Sequence, residues 1–365
     1  MTHKLLTLAC FVLLSLSARA QPLSTYTNVQ NEVMVWDNGV IRKIDYLQPV
    51  EMKVGRVAIP YIDNSRNFKI YYRGGVRNVN IGFTSEFKVG DCLVSFLNAT
   101  SLNVFDRGEI KNLTRLCTNY QFGDSLIVFL DGRTQEYKAY YNGDVIPFEG
   151  FLADATNVGV KNIEVGSNLA AYINYANQFH ILYHGQIINQ ENYPVSSYKT
   201  GRNTVAYLDA GNQFKVFYDG TTQVLESFPP QSYSVGNGLV AYVTVDGNFN
   251  IFCNGKVYKM GYFRPVYQVS DFVVIFQDPS GYGKVFEDGQ TTTLEPYMPE
   301  KFQAQYHSVA YFDRNNILKM YNNGEVNEVT SALTPGQDTW RLSYDVIMYQ
   351  VGNNFFKFYY QGREY

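Results

Sequence analysis

Short runs of alternating apolar and polar residues recur along the chain, and each run ends in a two-residue turn closed by glycine. The run Phe214–Tyr218, for example, directly precedes Asp219-Gly220. A two-residue hairpin turn needs positive φ at its centre, which Gly, Asn and Asp adopt most readily. The turns return about every 35 residues, at Asn38-Gly39, Gly74-Gly75, Arg107-Gly108, Asn142-Gly143, His184-Gly185, Asp219-Gly220, Asn254-Gly255, Asp288-Gly289, Asn323-Gly324 and Gln361-Gly362. This period predicts one hairpin unit written about ten times.

One unit, residues 236–271, shows the strands that the pattern predicts. Leu239–Val243 is almost continuously apolar, as expected of a strand buried on both faces. Residues 249–252 and 256–260 follow as a second and third strand, and 266–269 as a short fourth strand. Four antiparallel strands joined by tight turns form a meander.

A four-stranded meander of this size cannot bury both of its faces alone, whereas radial stacking covers both. The sequence therefore predicts an all-β fold, a single β-propeller of four-stranded antiparallel blades over residues 31–365. Extra residues at 148–161 predict a longer loop on one blade.

The two ends of the repeat are incomplete. The first unit begins at Val33 without its first strand, and the last unit stops at Tyr365 after two strands. We therefore expect both termini to share a composite blade, which gives nine blades within a range of eight to ten. Two smaller propellers or an open curved array remain alternatives.

Val-Ala-Tyr-x-Asp at 205–209, followed by Phe-Lys-Val-Phe-Tyr-Asp-Gly at 214–220, resembles the blades of short-repeat β-propeller proteins exported by bacteria. The resemblance covers roughly residues 31–365, and many such proteins have no assigned function. It implies an architecture and no catalytic activity. The regular Trp-Asp pair of WD repeats and the Ser-x-Asp-x-Gly-x-x-Trp box of sialidases are both absent.

The N-terminus has the pattern of a secretory signal peptide over residues 1–20. Lys4 precedes an apolar run at 5–16, and Ala18-Arg19-Ala20 predicts cleavage before Gln21. The apolar run is shorter than the ~20 residues of a membrane span, and no later segment approaches one. We expect an exported protein, periplasmic, cell-surface or secreted, with residues 21–30 as an N-terminal extension before the propeller.

Composition narrows the partners. The formal net charge is −3 and no basic stripe is evident, which argues against a nucleic-acid partner and against an anionic membrane surface. Aromatic residues make up 16% of the chain and fall in phase with the repeat, so core and cross-strand packing is favoured over tyrosines that stack on sugars or partner proteins. A bond between Cys92 and Cys117 that leaves Cys253 free is left open, because spacing alone does not justify it.

Acidic turns suggest calcium, but each offers one acidic side chain, whereas calcium needs six to eight oxygens. Turn chemistry is the favoured interpretation for these segments, which begin at Asp63, Asp209, Asp246 and Asp313.

Histidine and cysteine give no better site. His180 and His184 lie ~13 Å apart along one strand, too far to share a metal, and His307 is isolated. Cys253 stands where the repeat has tyrosine, which predicts a packing role.

Arg73, Arg107 and Arg264 raise the hypothesis of an anion site, with solvated loop arginines as the default. Trp340 lies in a connection that contains Gly and Pro, where packing over a blade seam is favoured over a ligand platform.

We therefore expect no catalytic residue, no cofactor and no metal, and the ligand-binding residues are unknown. The predicted function is a non-enzymatic extracytoplasmic binding or scaffolding propeller, with a protein or glycan partner in the cell envelope or outside the cell. One alternative is a carbohydrate-active or other hydrolytic propeller with carboxylates converging at the central channel, and a weaker one is a subunit of an envelope complex. Two carboxyl groups ~5–10 Å apart in a deep axial pocket favour the enzyme, whereas a smooth channel of repeat-phase residues favours binding.

Overall fold

The computed structural model describes residues 22–79, 83–149, 161–333, 339–352 and 355–365. These residues form ten separate sheets of consecutive antiparallel strands and contain no helix. Nine sheets have four strands, and the first sheet has three within the described residues. Each sheet is a blade, so the all-β propeller prediction is confirmed.

Blades 1 to 5 contain β1 (Leu23–Thr27), β2 (Val33–Asp37), β3 (Val40–Asp45); β4 (Glu51–Met52), β5 (Ala58–Ile62), β6 (Phe68–Tyr72), β7 (Gly75–Asn78); β8 (Thr84–Val89), β9 (Leu93–Asn98), β10 (Ser101–Asp106), β11 (Glu109–Thr114); β12 (Cys117–Phe122), β13 (Leu126–Asp131), β14 (Glu136–Tyr141), β15 (Asp144–Glu149); β16 (Lys161–Val165), β17 (Leu169–Ile173), β18 (Phe179–Tyr183) and β19 (Gln186–Glu191).

Blades 6 to 10 contain β20 (Ser197–Thr200), β21 (Thr204–Leu208), β22 (Phe214–Tyr218), β23 (Thr221–Glu226); β24 (Ser232–Val235), β25 (Leu239–Val243), β26 (Asn248–Cys253), β27 (Lys256–Tyr262); β28 (Tyr267–Val269), β29 (Val274–Gln277), β30 (Gly283–Glu287), β31 (Gln290–Glu295); β32 (Phe302–Gln305), β33 (Ser308–Phe312), β34 (Leu318–Asn322), β35 (Glu325–Thr330); β36 (Trp340–Ser343), β37 (Val346–Val351), β38 (Phe355–Tyr360) and β39 (Arg363–Glu364).

The first strand of each four-stranded blade lies nearest the axis. First strands of successive blades contact one another, as β16, β20, β24 and β28 do, whereas last strands such as β7 are exposed along their length. Because a meander reverses at every turn, the turns between first and second and between third and fourth strands share one end of the propeller, here called the turn face. The second-to-third turns and the blade-to-blade connections form the opposite end, the linker face.

The hydrophobic core is divided among the seams between blades. Ten clusters of buried side chains lie in the described residues, and each joins two neighbouring blades. Fully buried tyrosines such as Tyr172, Tyr207 and Tyr242 belong to these clusters, which confirms that the aromatic residues pack within the repeat. A blade therefore keeps water from its apolar faces only in the company of its neighbours.

The ring closes where blade 10 packs on blade 1. Trp36 of blade 1 stacks on Phe358 of blade 10, with ring centroids 5.6 Å apart. The Arg341 Nη2 donates to the Thr25 carbonyl at 2.8 Å. Strands from both termini thus close the propeller by packing face to face.

The predicted composite blade is wrong, because each terminus builds a sheet of its own. Residues 23–27, assigned from sequence to an extension, form β1 and pair with β2. This strand supplies what the first unit seemed to lack, so the count is ten, inside the predicted range and above the favoured nine. The strand assigned to 266–269 begins the next blade, because β28 pairs with β29 and not with β27. The predicted long loop at 148–161 falls mostly outside the described residues, and no helix within them is long and apolar enough to cross a membrane.

Candidate functional site

Glycines bring the blades into close contact around the axis of the turn face. A Cβ on Gly123 would lie 2.0 Å from the Gly166 carbonyl oxygen, and one on Gly166 would lie 2.2 Å from the Gly201 carbonyl oxygen. The Ser125 N–H donates to the Ser167 carbonyl at 2.9 Å, which ties these turns together across the seam. Only residues without a side chain allow this backbone-to-backbone approach.

The residue at the tip of each of these turns therefore points to a shared centre, and we call these nine residues the axial ring. It has one member in each of blades 2 to 10: Arg56, Asp91, Asp124, Ser167, Arg202, Asn237, Asp271, Tyr306 and Tyr344. The residue before the tip is glycine in blades 2 to 7, whereas the residue after the tip varies between blades. The tip position also varies. It holds two guanidinium groups, three carboxyl groups, two phenols, an amide and a hydroxyl.

Arg202 is the centre of the ring's electrostatics. Its Nη2 lies 2.6 Å from Asp91 Oδ2 and 3.1 Å from Asp124 Oδ2, so one nitrogen of blade 6 joins blades 3 and 4. Burial alone would lower the pKa of Arg202, but the two carboxylates outweigh it and raise that pKa. The Asp91 side chain is only 6% exposed, and burial, followed by the Asp124 charge, raises its pKa.

A second set of contacts crosses the ring from blade 2. The Arg56 Nη1 donates to the Tyr306 hydroxyl at 2.6 Å, and its guanidinium lies 4.3 Å from the centre of the Tyr306 ring. Arg56 Nη1 also lies 4.0 Å from Asp91 Oδ2, which links both sets of contacts. Blades that are distant in sequence are therefore connected at the axis by charged hydrogen bonds.

Asp271 differs from the other two carboxyl groups of the ring. Among the described residues it has no ion-pair or hydrogen-bond partner for its carboxyl group, although its backbone carbonyl accepts from the Asn237 N–H at 2.5 Å. Burial, and then the charges of Asp124 and Asp91, raise the pKa of Asp271 to about 6. This carboxyl group is therefore partly protonated in mildly acidic solution.

The ring opens onto a channel cavity of about 590 Å³. Small and apolar residues of the first strands line most of it, including Val89, Val165 and Val235, while Asp124 and Asp271 supply charge. The channel is not smooth, because the axial ring departs from the repeat. The Asp91 and Asp124 carboxyl groups both bind one nitrogen of Arg202, so a single guanidinium pairs with two carboxylates.

The acidic turns lie on the linker face and stabilise the backbone. Asp209 Oδ1 accepts from the Gln213 N–H at 2.9 Å, and its Oδ2 lies 2.8 Å from Lys215 Nζ. The same lysine lies 2.8 Å from Glu191 Oε1 of the preceding blade. Asp63 and Asp313 repeat the arrangement with Lys69 and Lys319.

In these three turns a lysine ammonium group occupies the position proposed for calcium. The aspartates bind that lysine and the backbone N–H groups of their own turns. For Asp209, burial raises the pKa, but Lys215 and the turn N–H groups outweigh it and the net pKa is lowered. In the turn at Asp246, Thr244 Oγ1 takes the capping role and accepts from the Asn248 N–H. Within the described ranges, no three His, Cys, Asp or Glu side chains group as metal ligands.

The histidines lie apart. His180 contacts Tyr172 and Asn174, and His184 occupies its turn with a φ of 48°. His307, which the sequence left isolated, lies beside the axial ring: its Nδ1 is 2.5 Å from Glu287 Oε1, and its ring stacks on Phe272.

The three cysteines in the described part of the chain are free thiols. Cys92 is exposed, Cys117 is partly buried and Cys253 is buried in the seam between blades 7 and 8, as a packing residue should be. Burial raises the pKa of the Cys253 thiol to about 11, which keeps it protonated at neutral pH.

Arg73 and Arg107 share one groove, whereas Arg264 lies on the linker face near Gly247. Trp340 begins β36, not a loop, and packs edge-on against Phe312 of blade 9, as the seam interpretation predicts.

The sequence identified none of the axial ring as a site. Its members lie far apart, since 111 positions separate Arg202 from Asp91. Aligning the units on their apolar second strands could have placed these tip positions in one column and revealed their polar, variable character.

Comparisons with solved structures give weak similarities. The computationally designed Ika8 protein has a TM-score of 0.33 and 16% identity, covering 76% of this chain and 96% of that one. Prp20p from Saccharomyces cerevisiae has a TM-score of 0.32 and 12% identity, covering 63% and 81%. The CRINKLY WD40 ectodomain of the Arabidopsis thaliana receptor kinase ACR4 has a TM-score of 0.32 and 8% identity, covering 66% and 92%. These values are too low to support an inference about ligand or activity.

None of the curated proteins compared matches the chain. The model of the 10-bladed beta propeller domain family matches residues 17–365, nearly the whole chain. The chain therefore belongs to the 10-bladed β-propeller domain family.

Proposed function

We propose that this chain is a non-enzymatic binding propeller that receives a protein or glycan ligand at the axial ring, outside the cytoplasm as its predicted leader suggests. The variation of the axial ring carries the proposal. The nine side chains of the ring are all polar, converge at the axis and vary among Arg, Asp, Ser, Asn and Tyr, whereas the packing positions of the strands repeat. Variable residues in the turns of a rigid repeat scaffold are typical of binding surfaces.

The state of the carboxyl groups favours binding over catalysis. Two carboxylates of the axial ring, Asp91 and Asp124, both form ion pairs with Arg202, so neither is free to transfer a proton or attack a substrate. A hydrolytic function is the second candidate, because the unpaired Asp271 with its pKa near 6 has the character of a general acid.

The test combines binding and turnover on the same variants. Purified protein is assayed by glycan array and by pull-down from envelope extract, with the double variant Asn237→Ala/Asp271→Asn beside Asp246→Asn on the linker face. We expect the axial variant to weaken ligand binding about tenfold or more, which corresponds to ~1.4 kcal/mol, and the linker-face variant to bind normally.

Two results contradict the proposal. Binding that is unchanged by the axial substitutions would place the ligand elsewhere. Hydrolysis of an array glycan by the native protein, lost in Asp271→Asn alone, would establish the hydrolytic candidate instead.

A further inference from the structure

At two positions of the repeat on the turn face, basic residues occur only in three neighbouring blades, although Arg202, Lys256 and Arg363 lie elsewhere on that face. The first position is the residue before each turn glycine, and the second is the third residue after it; in blade 2 the turn is Arg73-Gly74 and not the predicted Gly74-Gly75. In blades 1 to 3 five of these six positions are Arg42, Arg73, Arg77, Arg107 and Lys111. In blades 4 to 10 the same positions contain no Lys or Arg, and read Asn142, Ile146, His184, Ile188, Asp219, Gln223, Asn254, Tyr258, Asp288, Thr292, Asn323, Asn327, Gln361 and Tyr365.

The structure joins these cations into a continuous arc. The Arg42 side chain reaches the turn of blade 2 at Gly74, Arg77 donates to the Gly108 carbonyl of blade 3, and Lys111 Nζ donates to the Gly143 carbonyl of blade 4 at 2.8 Å. A groove of about 1000 Å³ runs over blades 1 to 4, and Arg42, Arg73 and Arg107 line it.

Two of the arginines occupy a backbone conformation that suits them poorly. Arg73 and Arg107 have φ values of 48° and 51°, in the left-handed region where the repeat elsewhere uses mostly Asn or Asp. A long side chain there costs backbone energy without a local hydrogen bond in return. Both strained residues face the same groove, which indicates that the cations serve the groove and not the turn.

The charges of the groove are incompletely matched. Asp37 and Asp106 also line it, but each carboxylate accepts a tyrosine hydroxyl, Tyr71 at 2.6 Å and Tyr140 at 2.8 Å. Arg107 donates to Asn142 Oδ1 at 2.7 Å and lies 3.7 Å from Asp106. Among the described residues, neither Arg42 nor Arg73 forms an ion pair, so the groove has capacity for an anion.

We propose that this groove binds an acidic saccharide, a glycan chain that carries uronic acid carboxylates. The guanidinium groups match carboxylates in charge and geometry. The half-buried rings of Tyr72 and Tyr141 and the amides of Asn38 and Asn142 suit a sugar ring and its hydroxyls. The two carboxylates in the groove accept hydroxyl groups but repel a ligand of dense negative charge, which disfavours nucleic acid and polyglutamate-like peptides. This inference rests on the proposed binding function and gives it a second site and a ligand class.

The test is isothermal titration of the native protein with polygalacturonate, a neutral galactan, polyglutamate, a single-stranded oligonucleotide and inorganic phosphate. The variant Arg73→Asn/Arg107→Asn restores the repeat's own residue at both turns, and Arg264→Asn on the linker face is the control with one cation removed. We expect polygalacturonate to bind with an affinity that falls as salt rises, the double variant to lose about tenfold or more, and the control to match the native protein.

Polygalacturonate binding that survives in the double variant overturns the inference. So does equal or tighter binding of galactan, polyglutamate, the oligonucleotide or phosphate, and so does no binding of polygalacturonate at all. The axial variant Asn237→Ala/Asp271→Asn separates the two proposals, because it should bind polygalacturonate normally. Retained capture of another ligand at the axial ring, without polygalacturonate binding, leaves the proposed function standing and removes this groove from it.

Discussion

The turn face and the linker face of this propeller are built from the same ten units, yet they use polar residues in opposite ways. On the linker face the lysines of β6, β22 and β34 each join two carboxylates, one of their own blade and one of the blade before. On the turn face the nine positions of the axial ring hold five different residue types. Residues that repeat hold the blades together, and residues that depart from the repeat are the ones to examine for function.

The axial glycines allow the turns of neighbouring blades to pack backbone against backbone. We expect their substitution to cause the largest loss of stability. Gly166→Ala places a methyl group 2.2 Å from the Gly201 carbonyl oxygen, which cannot move without its blade. Overpacking of this kind should cost about 3 kcal/mol of unfolding free energy or more. Chemical denaturation measures the loss.

Gly75→Ala is the matched control, because its methyl group meets nothing closer than 4.0 Å and its φ is ordinary. It should change stability by less than about 0.5 kcal/mol. Equal tolerance at both glycines would mean that the axial turns are not in close contact.

The next largest effect should come from the linker face. Lys215→Met leaves Glu191 and Asp209, both mostly buried, without their shared cation and should cost about 2 kcal/mol at neutral pH. Because the pKa of Asp209 is lower in the folded than in the unfolded protein, its ionised carboxylate stabilises the fold above the unfolded pKa near 3.8. This stabilisation is lost as the pH falls through the folded pKa. The difference between variant and native protein should therefore shrink below about pH 4.

Thermal unfolding across pH, with Lys43→Met as the control, checks this. Lys43 pairs with Glu32 at 3.1 Å on an exposed surface, where solvent screening leaves a single ion pair with little effect on stability. If Lys215→Met and Lys43→Met lower the melting temperature by equally small amounts, the lysine ion pairs of the linker face do not stabilise the contact between neighbouring blades.

These two regions also explain what the sequence could predict. The turns are local, so Asn254-Gly255 and its neighbours reveal hairpins, the period and hence the propeller. The blade boundary was missed because blade-to-blade connections are not distinguished by length: residues 115–116 separate two blades, whereas the longer segment 53–57 joins two strands of one blade. β1 was missed because it lies close behind the apolar segment that was predicted to be a signal peptide, outside the visible repeat.

The candidate site was harder to predict because it depends on contacts across the ring. No local pattern states that Arg202 reaches Asp91, or that Arg56 reaches Tyr306 over 250 positions. The arginines at Arg73 and Arg107 were visible in sequence, but their shared groove required the blades to be stacked. Departures from a repeat can thus be read from sequence, whereas their convergence cannot.

A smaller effect, of opposite sign, is expected at the axis. Because burial raises the pKa of Asp271 to about 6, its ionised form destabilises the folded state above that pH. Asp271→Asn removes this cost and should stabilise the protein by about 1–2 kcal/mol at pH 8, less than the full linkage value because the group is partly exposed. The gain should decline between pH 6 and pH 4 and vanish below the unfolded pKa.

The exposed Asp246→Asn serves as the control and should show no such gain. Thermal melts of both variants at pH 4, 6 and 8 make the comparison. If Asp271→Asn has a lower melting temperature than the native protein at pH 8, the ionised Asp271 carboxylate stabilises the fold, and the prediction is wrong.

The smallest expected change in stability comes from substitutions in two third-to-fourth-strand turns of the turn face. Arg73→Asn replaces a strained arginine by the residue that the left-handed conformation accepts more easily, so stability should rise by a few tenths of a kcal/mol. The reverse substitution, Asn323→Arg in blade 9, should lower stability by a similar amount, since Asn323 has the same left-handed conformation with a φ of 49°. Paired denaturant titrations resolve differences of this size. A stabilised Arg73→Asn variant would show that Arg73 lowers the stability of its turn, as expected of a residue retained for another reason. A destabilised variant would mean that Arg73 stabilises the turn.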